Sequence, residues 1–396
     1  MIDNRSWDDA LTGLRGLAAS WVLLFHLFGV VGPRALYVPG TSIELHWLLT
    51  SGGAGVWVLY TLCGYLLAGP FVTRENSRQV PHIRRYLLRR LWRILPPLWV
   101  QILVLSIVAG WADGQMLIRL KEMLPYALLV QNLVLPLSAP AANAVWWTLP
   151  VEFDFYLLLP LLFAIVGPHL ARRPRMAAMW ILLIAVAVEI AWRQHWLKVI
   201  DPQRVADLVA VAGQLPGVLS CFAIGIATRL HQATTARGDS RGIAANGLFL
   251  LGIVIAVAAI VAAHLTAATY WRGSLMYYLL QPAVATGCAL IILACERGGA
   301  MARALLANPI SRWLGLISYS LYLWHLPIFD WLAPASRVTP LQGTELWTYI
   351  ALAMTATLLV ASASYLLVER PALAMMGLAL GGLVIPPLVE PIIQGD

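Results

Sequence analysis

Two ionisable side chains, Arg15 and His26, stand inside the first long apolar run. A charge near a bilayer centre is expensive, so each needs a partner or a task. Eleven positions at 100° per residue make about three turns plus 20°, which places both on one helix face roughly 16 Å apart. Two readings fit this spacing. In one, the guanidinium snorkels to the interface and the imidazole hydrogen-bonds between helices. In the other, the face lines a catalytic channel: a neutral imidazole takes a proton from a hydroxyl as general base, and the guanidinium neutralises an anionic group.

Three further clusters carry chemistry. The stretch 74–93 contains Arg74, Arg78, Arg84, Arg85, Arg89, Arg90 and Arg93 against the single acid Glu75. On a helix Arg89 and Arg93 stack four apart with Arg90 beside them, a forked donor surface suited to phosphate oxygens; contact with anionic lipid headgroups is the plainer account. WTLPVEFDFYLLLP brings Trp147, Glu152, Asp154 and Tyr156 to the start of an apolar run. Glu152 falls near the expected depth of His26, where it could orient the imidazole as a dyad partner. Asp154 reads more simply as an acid at a helix start. ISYSLYLWHLPI places Tyr319, Ser320 and His325 in another apolar run, where polar groups usually face the bundle interior. Glu369, Arg370 and Pro371 read as an ion pair and a helix stop.

The elements that must hold these residues are membrane helices. Of the 396 residues 60% are hydrophobic and 12% charged, against about 25% charged in a soluble domain. Windows at 11–31, 47–70, 94–110, 149–167, 177–197, 208–230, 243–264, 273–294, 309–330 and 345–367 suit spanning, which predicts an all-α polytopic bundle of about ten transmembrane helices. The segment 116–136 is interrupted by Arg119, Lys121, Glu122 and Pro125 and is expected at the interface. The basic loops then share one side, the cytoplasm, and both ends of the core face it. The net charge of +8 thus reflects topology, and nucleic acid is not an expected partner. Cys63, Cys221, Cys288 and Cys295 are widely spaced, so neither a disulfide nor a metal site is expected. The first helix lacks a leader-like cleavage site and should remain in the mature protein. Residues 1–371 read as the membrane domain and 372–396 as an apolar tail that could be a hairpin, a surface helix or another span.

In order along the chain, LTGLRGLAASWVLLFHLFG, RRLWRILP, WTLPVEFDFY, ISYSLYLWHLPI and SYLLVERP resemble the motifs of the acyltransferase-3 family of bacterial and eukaryotic membrane O-acyltransferases, from Leu11 to Pro371. The chain departs from that family at Cys63, Thr148 and Leu98, where Ser, Ser and Tyr are usual. The resemblance implies transfer of an acetyl or other short acyl group from acyl-CoA, a donor substrate with no tightly bound cofactor, to a hydroxyl of a glycan, glycolipid or related acceptor. The expected location is a bacterial inner (plasma) membrane, spanned many times. Some relatives carry an attached extracytoplasmic esterase-like domain; the expectation is that this chain acts without one, so that a second transfer step would need a partner protein.

The expected mechanism seats acyl-CoA on Arg89, Arg90 and Arg93, with the acyl arm passing Arg15. His26, oriented by Glu152, deprotonates the acceptor or carries the acyl group. Trp147, Tyr156, Tyr319, Ser320 and His325 are expected to line the channel. A transporter or flippase of a glycolipid or organic acid, using Arg15, His26 and Glu152 for binding or proton relay, is the alternative; a scaffold would leave these costly residues unexplained.

Overall fold

The computed structural model describes residues 4–32, 41, 44, 46–72, 83–113, 120–134, 143–234, 242–333 and 341–379. The long helices are α1 (Asn4–Val31), α2 (Ala54–Val72), α3 (Ile83–Asp113), α4 (Thr148–Arg172), α5 (Pro174–Val199), α6 (Val205–Ala212), α7 (Leu219–Thr234), α8 (Gly242–Leu265), α9 (Leu275–Glu296), α10 (Pro309–Leu316), α11 (Ser318–Leu332), α12 (Gly343–Ser364) and α13 (Arg370–Ala379). Arg74, Arg78 and the 380–396 part of the tail lie outside the described residues.

Among the described residues eight helices are long and apolar enough to cross a membrane, or nine if the pair α6 and α7, bent by 78°, forms one span. The chain is therefore a multi-pass membrane protein. The expected span at 309–330 is two pieces, α10 and α11, divided at Ile317. Two windows expected to span, 208–230 and 309–330, are thus broken. The segment 120–134 forms two four-residue helices separated by Leu129, whose φ is +58°, and Trp99 Nε1 donates to Ala127 O at 2.9 Å. The basic residues from Arg84 to Arg93 belong to α3 itself.

The last core helix does not stop at Pro371. A π-turn over Tyr365–Glu369 joins α12 to α13, and Gly343–Gly377 forms one candidate span of 35 residues. A proline near the start of a new helical register lacks only an N–H that need not be bonded there. Glu369 turns inward, 2% exposed, while Arg370 is exposed.

Backbone contact sets the interior. Membrane helices have no hydrophobic drive toward each other, so close packing at small residues holds them together. A Cβ on Gly64 of α2 would lie 2.2 Å from Phe222 O of α7, and one on Gly225 of α7 would lie 2.1 Å from Thr61 O. A Cβ on Gly315 of α10 would lie 2.0 Å from Thr12 O of α1. This last approach brings Arg15 to the end of α10.

Candidate active site

Two cavities lie end to end along α1. The smaller, about 140 Å³, is lined by Arg15, Arg90, Arg93, Glu152, Tyr156 and Tyr319 among others. The larger, about 430 Å³, is lined by Val22, His26, Trp147 and Tyr322 among others. On α1 the lining positions Arg15, Ala19, Val22 and His26 follow spacings of four, three and four, a single helical stripe. Val56 and Tyr322 line both cavities and form the wall between them. The Tyr322 hydroxyl lies 2.9 Å from Thr148 Oγ and donates to Val145 O at 3.1 Å.

In the arginine cavity, Arg15 donates through Nε and Nη2 to Gly315 O at 3.1 and 2.6 Å. Gly315 lies in the last turn of α10, where backbone carbonyls lack helical partners and favour a cation. Arg15 thus caps the broken helix and faces the cavity. Tyr156 and Cys63 face the Glu152 carboxylate as hydrogen-bond donors, with Arg93 and Arg90 as its nearby cations. Arg90 and Arg93 line the arginine cavity, whereas Arg89, one turn before Arg93 on the same side of α3, is exposed and is not among the lining residues.

His26 has a different partner from the one its sequence context suggested. Its Nδ1 lies 3.0 Å from Val22 O and 3.0 Å from Nε2 of His325. His325, fully buried, places its own Nδ1 3.1 Å from Leu321 O. A carbonyl only accepts, so Nδ1 of His325 carries its proton and Nε2 its lone pair. Nδ1 of His26, facing a carbonyl and that lone pair, is then the protonated nitrogen. The lone pair of neutral His26 falls on Nε2, the form a general base needs. Glu152 lines the other cavity with the arginines, and the expected His26–Glu152 dyad is replaced by His26–His325.

The other expected lining residues divide. Trp147 lines the histidine cavity; Tyr156 and Tyr319 line the arginine cavity, and Tyr319 donates to Ile94 O at 2.8 Å. Ser320 and His325 line neither. Both are fully buried, and Ser320 Oγ lies 3.2 Å from Ser364 Oγ and from Glu369 Oε2. Asp154 accepts from Asn132 Nδ2 at 2.8 Å, tying the interfacial segment to α4.

A polar knot behind the histidines escaped sequence reasoning. Pro327 sits four residues after Leu323 and has no N–H to give its carbonyl. Gln101 Nε2 and Asn143 Nδ2 both donate to Leu323 O instead, the latter at 3.0 Å, while Trp146 Nε1 donates to Gln101 Oε1 at 2.8 Å. The signal was a proline two residues after a buried histidine, which obliges some neighbour to supply a donor. Also missed was the pair Glu189 and Arg193 on α5, with Nε 3.4 Å from Oε1; their i,i+4 spacing within an apolar helix was the available cue. The four cysteines are free and buried, and no cluster of metal-ligating side chains occurs among the described residues.

Residues 8–366 match the family model described as an acyltransferase domain. The chain is 22% identical over 383 residues to the peptidoglycan O-acetyltransferase OatA of Listeria monocytogenes, covering 93% of this chain and 56% of that protein. It is 23% identical over 376 residues to YrhL of Bacillus subtilis, provisionally assigned the same activity, covering 91% and 54%. The chain thus spans about half the length of the curated relatives it matches. No solved structure matches it. With the model matched across nearly its whole length, the chain belongs to the acyltransferase-3 family.

Proposed function

We propose that this chain is a membrane O-acyltransferase that moves an acetyl or other short acyl group from cytoplasmic acyl-CoA to a hydroxyl of a cell-envelope glycan. Peptidoglycan, the acceptor in the names of its relatives, is the first candidate. The observation that carries this reading is the pair of cavities joined at one wall, with arginines in one and an oriented histidine in the other.

Acyl-CoA phosphates meet Arg90 and Arg93 at the cytoplasmic end of α3, where charge-assisted bonds suit phosphate oxygens. Glu152 holds these guanidiniums in place. The acyl arm runs along Arg15 to the Tyr322 wall, so that its thioester carbonyl meets the acceptor beside His26. The acceptor oxygen attacks that carbonyl while His26 Nε2 takes its proton; the C–O bond forms, the C–S bond breaks, and the proton passes to the departing CoA sulfur. His325 holds the imidazole in the required tautomer. The protein sits in a bacterial inner membrane with the basic loops and both ends of its core in the cytoplasm.

The test uses purified protein in lipid nanodiscs with labelled acetyl-CoA and glycan fragments. Label on the glycan with CoA release supports the reading. Movement of unmodified substrate without CoA release favours the transporter class. A His26→Ala protein that inserts normally and transfers at the parent rate overturns the mechanism.

A further inference from the structure

The histidine cavity is built for more than a hydroxyl. Trp47, Trp57, Trp147, Tyr270 and Trp271 are among its lining side chains, and among the described residues lining it there is no carboxylate. Its volume of about 430 Å³ lies within the range of small-molecule sites, about 300–1,000 Å³. The walls are deliberately placed: Trp21 Nε1 donates to Leu48 O at 2.8 Å, anchoring the short helix that carries Trp47, and the Trp147 ring packs on Gly213, where a Cβ would lie 2.6 Å from it.

Its polar lining includes Thr50, Ser51 and His264, and two further side chains, Gln281 and Arg193, bear on what it takes. Gln281 of α9 is 5% exposed, and its Oε1 has no hydrogen-bond partner within the fold. Leaving a buried amide oxygen unpaired is unfavourable, which is accounted for if an arriving donor pairs with it. Arg193 of α5 is 1% exposed. It donates to Gly217 O through Nε at 3.2 Å and Nη2 at 3.0 Å, and to Tyr277 O through Nη1 at 2.5 Å. Glu189 balances its charge. Its side chain also bonds Tyr270, so of the five N–H donors of a guanidinium one remains on a charge-balanced side chain that lines the cavity.

A ligand that fits must offer apolar faces to aromatic rings and both donors and acceptors at its edge. A pyranose does so: its C–H faces stack and its hydroxyl or amide groups ring the edge. An acyl chain would leave Gln281 Oε1 without a donor. A free anion would meet an arginine already balanced by Glu189.

We propose that the histidine cavity is a pyranose-binding site for the acceptor, in which Gln281 Oε1 accepts a hydrogen bond from a sugar hydroxyl or amide other than the reacting hydroxyl. This rests on the acyl-transfer reading above. Gln281 and Arg193 come from α9 and α5, whereas the paired histidines come from α1 and α11, so recognition and proton transfer use separate elements.

The test measures transfer from acetyl-CoA by the full chain in nanodiscs to two acceptors, a peptidoglycan disaccharide and glycerol. Gln281→Leu should raise KM for the disaccharide about tenfold, the loss of one hydrogen bond, while KM for glycerol stays within about twofold. Since the change removes an unpaired buried oxygen, the fold should tolerate it. Trp271→Ala, acting on a ring face, should also raise the disaccharide KM selectively. Parent KM values in both variants, or equal rises for both acceptors, overturn the sugar site. A parent protein that releases no CoA with either acceptor overturns the transfer reading itself.

Discussion

Nε2 of His325 lies 3.0 Å from Nδ1 of His26, joining two helices across 299 positions of sequence. Both rings also bond the backbone carbonyl one turn before them, which for two neutral rings assigns the proton to Nδ1 of each. His325→Leu should lower kcat about 10²- to 10⁴-fold, the range of a lost general-base contribution, with KM for acyl-CoA little changed. His325→Gln, which can offer an oxygen acceptor to Nδ1 of His26, should recover part of kcat. Equal loss in both variants, with normal folding, would point to packing alone.

The two cavity arginines should separate from their exposed neighbour. Arg93→Ala and Arg90→Ala each remove charge-assisted bonds of about 1.5–3 kcal/mol, so KM for acyl-CoA should rise roughly 10- to 100-fold. Arg89→Ala, at an exposed position outside the cavity lining, should change KM less than about threefold. Steady-state kinetics at varied acyl-CoA decide this.

Cys63 offers a chemical readout of donor occupancy. Of the four cysteines only Cys63 lines one of the two cavities. A small thiol reagent should therefore modify Cys63 before Cys221, Cys288 or Cys295, and CoA should protect it. Site-resolved mass spectrometry tests both statements; labelling unaffected by CoA would remove the donor from the arginine cavity.

The polar knot predicts a coupled stability effect. Gln101→Leu should destabilise the fold by about 1–3 kcal/mol, since Trp146 Nε1 loses its acceptor and Leu323 O one of its donors. Pro327→Ala gives Leu323 O a helical N–H, so the double variant should lose less than the two single effects summed. Thermal unfolding in a fixed detergent measures the difference.

Much of the outline was legible from residue types. Arg15 and His26 do share a face, and the period of α1 alone says so. Arg90, Arg93, Glu152 and Tyr156 do meet in one cavity. Depth along the membrane, however, cannot name a partner: it suggested Glu152 for His26, and the packing of α11 against α1 brings His325 to it instead. Arg89 shares a helix face with Arg90 and Arg93, so its absence from the cavity lining reflects how α3 packs against its neighbours, which periodicity does not show.

The sequence by itself determined a bundle of apolar helices, because long charge-free windows have no stable alternative to a membrane-spanning helix, and it marked which helix faces are polar. Only the tertiary structure decided where helices break, which carbonyls the prolines leave open and which side chains close them. Those outcomes depend on contacts between residues hundreds of positions apart, such as Arg15 with Gly315 and His26 with His325, and helical periodicity carries no information about them.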